Sequence, residues 1–238
     1  MSTTQEIESS PVQPATTNSR ASFGRFFAHA FALMLVLRIV CIAGIVILSI
    51  GRTEQQMFQG DAAGFAMTGG VALAAAAVLG LGLLRPTGIS LRQLGWRTDD
   101  LASEIALGVL GFTVSAVMVI QLSVVFRTGT WDEAFSAVAH YTISQRLLFA
   151  SIGLVMGVAE ETLYRGFVQP GLVDRLGAAK GILLTAALFS LLHLQPKPLQ
   201  LLSRFLGGLV LCLLRARRGS LVGATVTHGL TWAVLGSL

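Results

Sequence analysis

The stretch GVAEETLYRG, Gly157–Gly166, decides how the whole chain is read. It lies in and beside an apolar run of about 20 residues, long enough to cross a bilayer as a helix. Within that run stand Glu160, Glu161 and Arg165. An ionised carboxylate in hydrocarbon costs several kcal/mol unless it is paired, hydrated or protonated. Two adjacent glutamates there need a purpose.

Working outward, the flanking sequence has the same apolar character. Hydrophobic residues make up 53% of the 238 positions and charged residues only 12%, with a mean hydropathy of +0.72. A soluble domain usually carries about 25% charge. Several further windows of about 18 or more apolar residues give the fold class: an all-α, polytopic transmembrane helical bundle of about seven spans, with six to eight as the range. The net charge of +5 and pI near 10 raise nucleic acid as a partner. The arginines sit in short loops between apolar runs, however, so membrane orientation accounts for them and no nucleic acid is expected. Cys41 and Cys212 lie in separate apolar segments, without disulfide or zinc-knuckle spacing.

Taken in order, residues 1–24 are rich in Ser, Thr, Gln and Pro and read as a disordered polar tail. Residues 25–143 read as the N-terminal transmembrane helices, with spans near 27–50, 62–84 and 101–126. The first run is too long for a signal-peptide core and reads as a retained helix. Arg38 near its centre calls for an inward-facing partner, either backbone or a carboxylate such as Glu104. The second span is rich in Gly and Ala, which allows close helix packing. The segment 127–143 reads as a loop, with Trp131 and Tyr141 as interfacial aromatics and His140 solvated. His29 reads as a solvated histidine at the start of the first span. Further helices are expected at 144–170, 178–194, 199–214 and 220–237.

With seven spans, Arg20, Arg25, Arg85, Arg92, Arg97, Arg175, Lys180, Arg215, Arg217 and Arg218 fall on one side. Arg52, Arg127, Arg146, Lys197 and Arg204 fall on the other. That asymmetry favours an integral membrane protein with a cytoplasmic N-terminus.

Positions 161 and 165 are helix neighbours one turn apart, so Glu161 and Arg165 can pair. Glu160 points about 100° away, beside Tyr164. One carboxylate is then held ionised while the other is free to gain or lose a proton, as a general base must. Two later histidines match it in depth. Glu160 and His193 lie on either side of a turn centred near residues 174–177, each about 16 residues from it, so at about 1.5 Å per residue they reach the same level. His228 lies somewhat nearer that face on the last helix. Two glutamates and two histidines can therefore converge in one intramembrane cavity. Such groups can activate a water directly or bind a divalent metal such as zinc, with Glu160, His193 and His228 as the candidate ligands.

The segments Glu160-Glu161-x-x-x-Arg165, Phe189-x-x-x-His193 and His228 with the four residues after it resemble the three motifs of the CAAX-protease and bacteriocin-processing (CPBP, or ABI) intramembrane endopeptidases. The resemblance covers about 145–235 and implies a catalytic transmembrane core at 144–238. It implies hydrolysis of a peptide bond in a membrane-associated protein or peptide, in CAAX-type processing or in bacteriocin maturation or immunity. Carried over, Glu160 and His193 would activate the water, Glu161 and Arg165 would orient and pair charge, and His228 would polarise the carbonyl or stabilise the oxyanion. The expected partners are a peptide or protein substrate and the lipid bilayer, in a bacterial plasma membrane. One position departs from the pattern: the family commonly has Asn four residues after the last histidine, and here it is Trp232. An indole offers one donor where an amide offers donor and acceptor. A weak or inactive family member acting as a membrane immunity or binding scaffold is the alternative reading. A proton-relay transporter is a third, but the inverted repeats of such folds are not evident.

Overall fold

The computed structural model describes residues 18–53, 56, 59–97, 99–126, 128–194 and 196–235. Among them every regular element is a helix. The polar tail expected at 1–24 lies largely outside the described residues. The first helix, α1 (Asn18–Ser49), already begins inside that expected tail. Arg127 also lies outside the described residues.

Helix α2 runs over Ala62–Thr87 and passes through a π-helical turn at Gly80–Leu84. Its start is fixed by Asp61, whose carboxylate accepts from the Gly64 N–H at 2.9 Å. Arg52 donates to the other oxygen of the same carboxylate at 2.8 Å. That guanidinium, and then the Gly64 N–H, hold the Asp61 carboxyl below its ordinary range. Helix α3 (Leu101–Val125) is capped by Asp100 in the same way.

The segment expected as a loop at 127–143 instead contains helix α4 (Trp131–Ala139). The signal is a local capping box: the Thr130 N–H donates to Glu133, and the Glu133 N–H donates back to the Thr130 hydroxyl. Its face carries Phe135, which is largely exposed and stacks on Trp131.

Helix α5 (Ile143–Leu176) opens on a second capping box, between Thr142 and Gln145. It contains a π-helical segment at Thr162–Val168, immediately after the two glutamates. A π-turn adds a residue to the turn and re-aims the side chains beside it. Helix α6 (Ala178–Leu191) returns after Gly177, whose φ of +80° suits glycine. Helices α7 (Pro198–Arg218) and α8 (Val222–Leu230) complete the chain, with α8 ending in a π-helical turn at Thr231–Leu235.

Among the described residues five helices are long and apolar enough to cross a membrane: residues 23–49 of α1, then α2, α3, α5 and α7. The protein is an integral membrane protein built as a helical bundle. Among the described residues the last helix, with its π-turn, covers 222–235 of the expected 220–237, and α6 covers 178–191 of the expected 178–194.

Two contacts lock the helices that matter for the site. The Thr227 hydroxyl of α8 donates to the Gly108 carbonyl of α3 at 2.8 Å. Where α8 crosses α5, Gly153 lies against Gly229: a Cβ at Gly153 would stand 2.6 Å from the Gly229 carbonyl oxygen. At one end of the bundle Arg218 bridges Asp100 (3.1 Å) and the buried Glu104 (2.9 Å). Glu104 is therefore the partner of Arg218 and not of Arg38.

Candidate active site

Helix α5 presents Glu160 and Glu161 at the entry to its π-segment, both buried. The Arg165 guanidinium donates to Glu161 Oε1 at 2.9 Å, as the one-turn spacing predicts. It also donates to the Gly208 carbonyl of α7 at 3.1 Å and stacks over Phe189 of α6, 4.3 Å from the ring centroid. Arg165 and Glu161 are both at 0% exposure, so this pair is sealed from outside. A charge pair in that setting holds only when geometry and extra hydrogen bonds compensate desolvation. Here Arg165 joins α5, α6 and α7 in one contact set.

His193 lies just past the end of α6, in the turn that follows. Its Nδ1 lies against the Phe189 carbonyl, so Nδ1 carries the proton and the Nε2 lone pair is free. That Nε2 is 4.0 Å from Glu160 Oε2, so the shared depth expected from the sequence becomes a direct meeting. His228 of α8 places Nδ1 2.9 Å from Glu161 Oε1 and Nε2 3.8 Å from Glu160 Oε2. The last histidine thus leans on the Arg165-paired glutamate, closer than a depth count along helices could tell. All five expected site residues, Glu160, Glu161, Arg165, His193 and His228, come together.

Glu160 Oε2 is buried and has no hydrogen-bond partner, while both imidazole Nε2 atoms face it. Buried polar atoms are nearly always bonded, so this atom awaits one. A water about 2.8 Å from each of two acceptors spans about 4.4 Å between them at its own bond angle. The 4.0 Å gap between Glu160 and His193 is close to that. Edges of a tetrahedral zinc shell are about 3.3 Å. The 3.8 and 4.0 Å separations are wider, and among the described residues no three His, Cys, Asp or Glu groups are spaced to hold a metal ion. The Glu160–His193 spacing suits a bridging water.

These groups open onto a cavity of about 400 Å³ between α1, α2, α3, α5, α7 and α8. Part of its lining is apolar, with Ile45, Met67, Val71 and Ile152. The lining also holds Glu160, His193 and His228 with Arg38 and Arg204, and Trp232 borders it near Gly153. Arg38 resolves onto backbone: its Nη2 donates to the His193 carbonyl at 2.8 Å. Its span had only to bring it to the end of α6, which no local pattern reveals.

Two expectations need correction. Arg204, counted as a loop charge, lies in α7 on the cavity wall, because the helix starts at Pro198 and turns it inward. His29 is not a solvated end residue: it sits within α1, with Nε2 2.8 Å from the Gly82 carbonyl and its ring edge on Phe167. The π-turn of α2 is what presents that carbonyl, and it leaves no mark in composition. Cys41 and Cys212 are both free and buried. Trp232, at the sequence position where the family motif commonly has Asn, borders the cavity with its Cβ against Gly153.

Residues 142–234 match the family model described as type II CAAX prenyl endopeptidase, Rce1-like. Among curated proteins and among solved structures, nothing matches the chain. The matched segment contains Glu160, Glu161, Arg165, His193 and His228, with the π-segment and Trp232, while Arg38 lies outside it. The match supports intramembrane protease activity in general terms. The match to the Rce1-like, type II CAAX prenyl endopeptidase model over residues 142–234 thus falls on the same segment as the three CPBP-like motifs.

Proposed function

We propose that this protein is an intramembrane endopeptidase in which Glu160 is the general base and a water between Glu160 and His193 is the nucleophile. The observation that carries the reading is the orphaned Glu160 Oε2, facing the free Nε2 atoms of His193 and His228. The water donates one hydrogen to Glu160 Oε2 and the other to His193 Nε2. As its oxygen adds to the scissile carbonyl carbon, its proton passes to Glu160. The oxyanion that forms is met by His228, protonated on both nitrogens: Nδ1–H rests on Glu161 and Nε2–H points to the oxyanion. On collapse, Glu160 returns the proton to the leaving amine and the peptide bond breaks.

Glu161 and Arg165 do not touch substrate in this scheme. Arg165 pairs with Glu161, and Glu161 in turn orients His228. The substrate is a membrane-associated peptide or protein. In its loop-charge asymmetry the chain fits a bacterial plasma membrane with the N-terminus in the cytoplasm.

The test is cleavage of membrane-tethered peptides by purified protein, comparing wild type with Glu160→Ala and His193→Ala. A general base contributes roughly 100- to 10,000-fold, so both variants should lose at least about 100-fold in kcat. Equal rates in the three proteins would remove the assignment.

A second reading rests on Trp232. With an indole in place of the family's Asn, the oxyanion has one donor set fewer, and a binding or immunity scaffold follows if wild type cleaves nothing.

A further inference from the structure

Two arginines on the cavity wall are not used by this reaction. Arg38 spends Nη2 on the His193 carbonyl, and its Nε is buried with no hydrogen-bond partner. Arg204, from α7, also has a buried Nε with no partner. They are electrostatic neighbours of each other and both of His193, so they face the same end of the cavity. The charged groups on the walls around them are Glu160, His193 and His228. Arg165 is already paired with Glu161. Against these two guanidinium groups the walls around them offer one carboxylate, Glu160, so cations outnumber acids at this end.

Two guanidinium groups converging without a carboxylate of their own form an acceptor-poor, donor-rich wall. Arginine is suited to planar anions through paired N–H donors. We infer that Arg204 and Arg38 bind a carboxylate of the substrate peptide, beside His193, and so fix which peptide bond reaches Glu160. The carboxylate can come from the peptide's C-terminus or from an acidic side chain, and the chemistry is the same for both. The inference rests on the protease reading of this cavity, but binding can be measured without cleavage.

The experiment uses the full chain in lipid nanodiscs and fluorescently tagged apolar peptides, read by anisotropy. Three peptides share one sequence: one with a free C-terminus, one amidated with an internal Glu, and one amidated with Gln at that position. A carboxylate held by charge-assisted bonds should tighten binding about 10- to 100-fold over the neutral peptide. Whichever carboxylate gives the gain identifies its source. Arg204→Gln should erase the gain and Arg204→Lys should keep part of it. If Arg204→Gln fails to fold, the comparison of peptides on wild type still decides.

Equal affinity for all three peptides, within about twofold, overturns the proposal. So does loss of the gain when zwitterionic lipid is replaced by phosphatidylglycerol, which would assign the arginines to a lipid headgroup. The same peptides in a cleavage assay separate the two claims. Selective binding without cleavage sinks the protease reading alone, and cleavage without selectivity sinks the carboxylate site alone.

Discussion

Replacing Arg165 with methionine removes the cation that pairs with a fully buried carboxylate. Glu161 Oε2 already lacks a partner, and after the substitution Oε1 keeps only the His228 contact. Breaking one side of a buried ion pair costs about 3–5 kcal/mol, because the remaining charge is left in low dielectric. The Gly208 carbonyl and the Phe189 ring face lose their partner in the same step. For a domain of this size, about 1 kcal/mol moves the melting temperature by roughly 2–4 °C, so Arg165→Met should lower Tm by about 6–20 °C. Adding Glu161→Leu removes the stranded charge as well, and the double variant should recover most of that loss. Recovery of stability without recovery of cleavage is expected, because His228 would still lack its orienting carboxylate. Unfolding is read with a thiol-reactive dye, since Cys41 and Cys212 are free and buried and become reactive only when the bundle opens. A single variant within about 2 °C of wild type, or a double variant no better than the single, would refute the reasoning.

Further outcomes follow from the same contacts. Gly153→Ala forces a methyl against the Gly229 carbonyl and the Trp232 Cβ, so α5 and α8 must part; a cost of about 1–3 kcal/mol in Tm scans is expected, with cleavage falling further than stability. Trp232→Asn restores an amide beside the oxyanion, and since one such donor is worth about 100- to 1000-fold, kcat should rise at least about tenfold; an unchanged rate would mean the indole is not limiting. Dialysis against a chelator should leave cleavage intact, and restoration of a lost activity by zinc would reverse the view that these spacings suit water. The depressed Asp61 carboxyl contributes stability that is present above its unfolded value, about pH 4, and is lost as pH falls through its lower folded value. Asp61→Asn should therefore flatten the drop in Tm seen between about pH 5 and about pH 3.

Much of this site was legible in the residues because helical geometry makes depth countable. Glu161 and Arg165 meet because they are one turn apart, and Glu160 meets His193 because the turn between α5 and α6 is nearly equidistant from both. Other features have no such ruler. The pairing of His228 with Glu161 depends on how α8 crosses α5 at Gly153 and Gly229, a tertiary matter. Arg38 reaching the His193 carbonyl needs a helix rotation that the all-round hydrophobicity of α1 does not encode, and Arg204 meets the cavity only through the way α7 sits against its neighbours. His29 binds a carbonyl offered by the π-turn of α2, and that turn has no compositional sign. Helix α4 did carry a local sign, the Thr130–Glu133 box, but it sat in a segment too polar and short to read as a span.

The central claim is that Glu160 drives a water onto the scissile carbonyl, and oxygen-18 tests it most directly. Cleavage of a membrane-tethered peptide in oxygen-18 water should place one labelled oxygen in the new C-terminal carboxylate. Glu160→Gln, folded and with the same Tm, should slow that incorporation by about 100- to 10,000-fold. Incorporation at the wild-type rate in Glu160→Gln would contradict the account.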